Sequence, residues 1–385
     1  MKIVHICISN PYIDGWGYQE NLLPQYLQKK GVQNFVIASA NNFPFYLSSR
    51  EIRDIKTKGN DYFDGEIHIK RIKTKSFSTS FIVPFGLKEA LEKICPDVVF
   101  HHNFNCTSFP IAAHYAKKKG IPLVLDNHAD VINMSHNKLW VLVYYKLLIR
   151  LSCLLFQKEI TKAYGVTHAR CDFIKDYYGV PSKMIDFMPI GADVDLAEAI
   201  SSKELLRLKY EFGREDFIIV SGGKMGIDKG TGRLIVAAEN MQKSYPNVKL
   251  VLFGSITDSE TQKQVDNSSV CHLFGWCDRI KTLELLKLAD VACWPVHHTT
   301  LMEDAISVCT PIITRKTKTT EHLIDGNGVW LEDASAESIM SALQYLLEHD
   351  KKQELKAACM KMEQAISYHT IAEKVLTDIC LNAII

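Results

Sequence analysis

The chain of 385 residues carries almost no net charge: 45 lysines and arginines oppose 44 acidic residues. A strongly basic nucleic-acid binder is therefore excluded on bulk charge. No stretch reaches the roughly 18 uninterrupted apolar residues of a membrane-spanning helix. The nearest, 139–156, is broken by Lys146 and Arg150. The 11 cysteines form no CxxC pair and no metal-ligand spacing, so they read as reduced thiols of a cytoplasmic protein. Cys7, Cys95, Cys153, Cys293 and Cys380 sit among apolar neighbours, where cysteine behaves as a small hydrophobe. After Met1-Lys2 the run Ile3–Ile8 is too short for a secretory apolar region and reads as a buried strand.

What is present is ordinary globular composition, 47% hydrophobic and 23% charged, at a length suited to about two domains. The charge is unevenly shared. Residues 1–190 hold 24 basic and 16 acidic side chains, leaving 21 and 28 in the remainder. Net charges of +8 and −7 suggest a first half that faces something anionic, with Lys70, Arg71, Lys73 and Lys75 among its cations.

Short apolar runs alternate with helical patterns. Strands are expected at 2–9, 34–38, 67–71, 98–101, 123–127, 165–168 and 185–188. A second series covers 217–221, 249–253, 270–274, 291–294, 312–314 and 328–331. Helices fall at 20–30, 108–119, 230–241, 282–288 and 336–348. This alternation means an α/β fold of βαβ units with parallel sheets, and thirteen strands fit two doubly wound domains better than one sheet. Pro189 and Gly191 punctuate the break, giving domains 1–190 and 191–366 and a final helical segment 367–385. Ligands of such sheets bind at strand carboxyl ends, and a cleft between the domains is expected. In 139–156, Lys146 and Arg150 share one helical face while Trp140, Tyr144, Leu147, Leu148, Leu151 and Leu155 fill much of the rest. That helix is either largely buried or lies in a membrane interface.

Four segments carry chemistry. The strand 217–221 runs into Gly222-Gly223-Lys224-Met225-Gly226-Ile227-Asp228-Lys229-Gly230, where glycines permit close approach and lysines can neutralise phosphate. The spacing matches neither the P-loop nor GxGxxG, and a plain βα turn with surface lysines is equally open. Trp294-Pro295 leads through His297-His298-Thr299-Thr300 into a helix whose first turns hold Asp304, placed either to meet ribose hydroxyls or to offset the helix dipole. Gly15-Trp16-Gly17-Tyr18-Gln19 follows the first strand with two flat rings able to stack on sugar. Asp126-Asn127-His128 ends another strand, and His101-His102 a fourth. Asp193-Val194-Asp195 has the DxD form of a metal motif, but its place after Pro189-Ile190-Gly191 reads as a domain crossing, so no metal is assigned.

Taken in order, these elements resemble the GT-B glycosyltransferases of family four over nearly the whole chain. Gly223-Lys224 through Lys229-Gly230 is similar to the family's Gly-Arg…Lys-Gly element, and Met188–Asp193 to its hinge segment. Phe274-Gly275-Trp276, Ala289-Asp290-Val291 and Asp304-Ala305 through Thr310-Pro311 resemble its later elements, and 367–379 its last helix. The family's first glutamate falls on Val296, and Cys309 stands where glycine is common.

The resemblance implies a GT-B fold of two Rossmann-like domains, the C-terminal helix crossing back to the first. It implies a retaining transferase acting without metal or other cofactor on a nucleoside diphosphate sugar, UDP-linked by expectation. Lys224 and Lys229 would hold the diphosphate and, with His128 at the sugar, form the catalytic set. Gly15, Gly17, Gly223, Trp276, Thr300, Leu301 and Asp304 would bind donor, and Trp16, Tyr18 and Gln19 the acceptor. The acceptor expected is a glycan or lipid-linked oligosaccharide of cell-surface polysaccharide synthesis, reached at the inner face of an anionic membrane. Two alternatives stay open: a non-catalytic nucleotide-sugar binder or partner-stabilising protein, and a nucleotide-sugar epimerase using His297 and His298.

Overall fold

The computed structural model describes the chain except residues 45–46, 79–80, 105, 132–133, 136, 349–351 and 383–385, so the end of the expected segment 367–385 lies outside the described residues. The chain forms two compact units, Met1–Pro189 with Tyr368–Ile385, and Ile190–Ser367.

The first unit is built on strands β1 (Lys2–Cys7), β2 (Gln33–Ser39), β3 (Asp61–Asp64), β4 (Ile67–Ile72), the hairpin β5 (Thr74–Ser76) and β6 (Ile82–Pro84), then β7 (Val98–His102), β8 (Leu123–Asn127), β9 (Ile160–Gly165) and β10 (Ile185–Phe187). Its main sheet has the order β10-β9-β8-β7-β1-β2-β4-β3. Every pairing is parallel except β3 with β4. Helices cover both faces, so β7 and β8 are buried along their whole length and read as continuous apolar runs. β3 was not foreseen. As an edge strand of sequence Asp-Tyr-Phe-Asp it alternates exposed and half-buried positions and offers little apolar signal.

Two further expectations change. The strand placed at 165–168 is β9, which ends at Gly165, and the Thr167 side chain caps the helix His168–Phe173 by accepting from the Arg170 N–H. Along 139–156 the backbone forms a π-helix at Val141–Ile149 followed by an α-helix at Arg150–Leu155. Tyr144, Tyr145, Ile149 and Cys153 point inward, whereas Leu147, Leu148, Leu151 and Leu155 are 46–70% exposed. A largely buried helix is thereby corrected: one stripe suffices to seat it on the core. Among the described residues no helix is long and apolar enough to cross a membrane.

The last helix, Tyr368–Asn382, belongs to this first unit. Tyr368, Ile371, Ala372, Val375 and Ile379 follow a helical stripe and pack on Leu22, Leu23, Tyr26 and Leu27. Tyr164 donates to Asp378 at 2.5 Å and Lys374 to Asp186 at 2.6 Å, fixing its rotation.

The second unit carries β11 (Phe217–Met225), β12 (Val248–Ile256), β13 (Cys271–Leu273), β14 (Val291–Trp294), β15 (Ile312–Arg315) and β16 (Gly328–Leu331), in the order β13-β12-β11-β14-β15-β16. All five pairings are parallel. β11 outruns the expected 217–221 because Gly222 and Gly223 continue the ladder with β12, Gly223 opposite Gly254. Gly254 is required there: its φ is +110°, and a Cβ on it would lie 2.1 Å from the Gly223 carbonyl oxygen. The glycines expected to cradle a ligand thus first serve close strand approach.

Candidate functional site

In the second unit the chain turns only after Met225, through a short 3-10 turn at Ile227–Lys229 into the helix Thr231–Ser244. Gly230 sits at φ +74°, and a Cβ there would lie 2.9 Å from Val296 and 3.0 Å from Pro295. The Lys229 turn is therefore seated on the loop that follows β14. Gly223 approaches the same region, since its Cβ would lie 3.2 Å from Leu301 Cδ1. Lys224 is exposed and Lys229 half-buried, with its Nζ 3.4 Å from Asp228 Oδ2. Burial first, then the charge of Lys229, lower the His297 pKa, with Asp228 opposing them and Arg315 adding a smaller push. Arg315, at the carboxyl end of β15, was not foreseen; it makes a third cation beside two motifs that lie far apart in sequence.

Of the other expected donor residues, Gly275 adopts φ +65° and accepts the Gly254 N–H at 2.6 Å, holding its turn at the end of β13. Trp276 beside it is 75% exposed. Thr300 is exposed and its carbonyl accepts the Asp304 N–H at 3.1 Å, at the start of the helix Leu301–Ser307. Asp304 departs from expectation. It is 7% exposed, and Arg279 Nη1 donates to its Oδ1 at 2.5 Å. Arg279 Nη2 also lies 3.6 Å from Asp193 Oδ2. Burial nonetheless raises the Asp304 pKa, Arg279 offsetting it only in part. Asp304 is thus an anchored carboxylate and Asp193 its partner across Arg279, in place of a carboxylate left to the helix dipole.

In the first unit the polar residues converge on Asp126. Asn34, His5, His102 and Asp126 lie on the adjacent strands β2, β1, β7 and β8, and the registers put them on one sheet face. His102 Nδ1 is 2.6 Å from Asp126 Oδ2, His102 Nε2 is 3.1 Å from His5 Nδ1, and His5 Nε2 is 3.1 Å from Asn34 Oδ1. The Asn34 amide nitrogen donates to the Val32 carbonyl at 2.9 Å, which fixes the amide orientation. His5 must then donate from Nε2 and accept at Nδ1 the hydrogen bond that His102 Nε2–H donates. Asp126 accepts from Gln19 Nε2 at 3.0 Å and from the Asn103 N–H at 2.9 Å. His102 Nδ1 is held against this buried carboxyl group, which favours the protonated imidazole. The electrostatics agree. Burial alone would lower His102, but Asp126 raises it. Burial and then the His102 charge lower His5 to about 3. Burial would raise Asp126, but His102 and His128 hold it well below the carboxylate range.

His128 stands at the open end of this array, its Nε2 3.6 Å from Asp126 Oδ2 and 3.9 Å from Glu20 Oε1. Asn10 donates to that Glu20 oxygen at 2.6 Å and accepts from Asn103 at 3.2 Å. Sequence reasoning found His128 and Asp126 but not Glu20, Asn10 or His5, because only strand order brings them together.

The loop after β1 is less available than expected. Gly15 has φ +75° with open space around it, and Gly17 is half-buried. Trp16 packs on the cluster of Ile13, Leu47 and Ile55 and lies 5.2 Å from the Tyr18 ring, leaving Tyr18 as the exposed face. Gln19, expected at an acceptor, is 2% exposed and spent on Asp126. Arg71, counted among the surface cations, is 4% exposed and bonded to Asp14 and to the carbonyls of Tyr12 and Ser39.

Comparison with known proteins gives these sites a context. The glycosyl transferases group 1 family model matches residues 202–361, the region of the Lys229 turn and the Asp304 helix. A protein of Bacillus subtilis (strain 168) named "Putative glycosyltransferase EpsD" is 30% identical over 110 residues, a match covering 27% of this chain and 28% of that protein. A glycosyltransferase from Rickettsia africae ESF-5 superposes with a TM-score of 0.70 at 15% identity, over 98% of this chain and 97% of that one. HepE of Anabaena, solved in complex with UDP, superposes with a TM-score of 0.68 at 13% identity, over 99% and 100% of the two chains. The chain thus has the GT-B fold, and residues 202–361 of its second unit match the glycosyl transferases group 1 family model.

Proposed function

We propose that the protein is a retaining glycosyltransferase that moves a hexose from a nucleoside diphosphate donor, UDP-linked, to a glycan or lipid-linked acceptor in cell-surface polysaccharide synthesis. The observation that carries this reading is the seating of Lys229 against the Val296 loop, within the region that matches the transferase family. The acceptor hydroxyl oxygen bonds to the anomeric carbon on the face from which the diphosphate departs, the bond from that carbon to the diphosphate oxygen breaks with its electron pair, and the hydroxyl proton passes to the departing diphosphate. Lys224 and Lys229, with Arg315, stabilise the charge that builds on this leaving group and take the part a metal plays elsewhere. Fixed cations of this kind are usually the largest single contribution to such a step. His128 serves the transferred sugar, its ring steered by Asp126 and Glu20.

The exposed stripe of Leu147, Leu148, Leu151 and Leu155, with Lys146 and Arg150 beside it, supports docking on an anionic membrane surface. Unchanged sedimentation with phosphatidylserine vesicles at low salt would remove that part of the proposal.

The test of the reaction is incubation with a panel of nucleotide sugars, with and without lipid-linked acceptors, reading nucleoside diphosphate release and product anomer. Release with the donor's anomeric configuration kept supports the reading. Isomerised sugar without acceptor would indicate an epimerase, and a melting shift without turnover a binding protein.

A further inference from the structure

The loop after β14, the helix Leu301–Ser307 and the segment after β15 meet at three side chains that the proposed reaction does not use. His298, Glu303 and His322 each bring one ligand atom within 4.8 Å of the others. His298 Nε2 lies 2.8 Å from Glu303 Oε1, and the two imidazole centroids are 6.2 Å apart at 55°. Glu303 is 1% exposed, flanked on its helix by the buried Met302, Ala305 and Ile306.

A histidine–glutamate ion pair would account for one oxygen only. Glu303 Oε2 accepts no hydrogen bond among the described residues. Leaving a buried acceptor without a partner costs about 1–3 kcal/mol, more when it is charged. A cation among the three ligand atoms would give that oxygen its partner.

We propose that His298, Glu303 and His322 bind a divalent transition-metal ion of the zinc type. Two imidazoles and one carboxylate form a nitrogen and oxygen set suited to zinc, cobalt or iron(II), whereas magnesium and calcium prefer all-oxygen sets. Three protein ligands leave a coordination position for water or a ligand oxygen. The ion clasps the loop that carries His297 to the segment after β15, steadying the wall on which the Lys229 turn rests. It is separate from the diphosphate-binding role given to the lysines and stands whether or not the protein transfers sugar.

The experiment uses the full chain, stripped with a chelator and dialysed, then titrated with zinc chloride by calorimetry and checked by elemental analysis. One zinc per chain is expected, together with a zinc-dependent rise in melting temperature that magnesium does not give. Loss of an outer-shell partner alone costs about 10–100-fold in metal affinity, so His298→Ala and His322→Ala should each lose at least that much. Cobalt(II) should give visible absorption bands in the parent and in His297→Ala, and lose them in both ligand variants. Circular dichroism of the stripped variants separates metal loss from misfolding, and Glu303→Gln offers a near-isosteric third variant. No zinc bound by the parent chain, or zinc bound equally by His298→Ala and His322→Ala, overturns the proposal.

Discussion

His102 Nδ1 lies 2.6 Å from Asp126 Oδ2, and neither side chain has any exposed surface. This pair sits at the centre of a hydrogen-bonded diagonal across four strands and carries the electrostatics of the first unit. Removing one partner of a buried ion pair typically costs about 3–5 kcal/mol, because the other is left uncompensated. Asp126→Asn should therefore destabilise the first unit by about that amount, read from urea unfolding. A loss of under about 1 kcal/mol would mean that His102 is not charged.

The same array sets a pH dependence. His5 and His101 are both held near 3 in the folded unit, against 6.5 ordinarily, burial being the largest cause and the His102 charge the next. As pH falls below 6.5 the unfolded chain takes protons that the folded unit refuses, so stability declines down to about pH 3. His102 works in the opposite sense. Its folded pKa is raised, so its contribution is complete below 6.5 and is lost as pH rises through that raised value. Stability of the first unit should peak near pH 6.5 and fall on both sides, as read by urea midpoints across pH. A profile flat from about pH 4 to 6 would show that the two histidines protonate normally.

The strand pairing at Gly254 gives a geometric prediction. Gly275→Ala meets nothing within 4 Å and incurs only the left-handed backbone cost, about 1–2 kcal/mol. Gly254→Ala adds a backbone collision with Gly223 and should destabilise the second unit by clearly more. Equal losses would mean that β11 and β12 can part locally without penalty.

The C-terminal helix contributes packing that a single substitution can weigh. Ile371 is 2% exposed between Tyr368 and Val375 on the helix that covers Leu23 and Leu27. Ile371→Ala should cost about 2–5 kcal/mol in stability of the first unit. Unchanged stability would mean that this helix is not seated in solution.

For the reaction, Lys229→Ala should lower kcat by about 100- to 1,000-fold, the usual loss for one fixed donor at a developing charge, with the melting temperature nearly unchanged. His128→Ala should lower kcat more than donor affinity. A variant that turns over normally removes that residue from the catalytic set.

The sequence alone determined the alternation of strands and helices, the helices 108–119 and 336–348, and the strands 123–127, 291–294 and 328–331 at the stated bounds. These rest on local periodicity, which is written in neighbouring residues. It also determined which loops carry lysine, histidine and glycine. Tertiary structure alone decided that Gly222 and Gly223 extend β11, that Leu147 and Leu151 face outward, and that Gln19 belongs to Asp126. It alone joined Asn34, His5, His102 and Asp126, and likewise His298, Glu303 and His322. Those contacts depend on strand order and register, which bring distant residues onto one sheet face or into one loop cluster. No spacing along the chain encodes which distant polar group will satisfy a buried one.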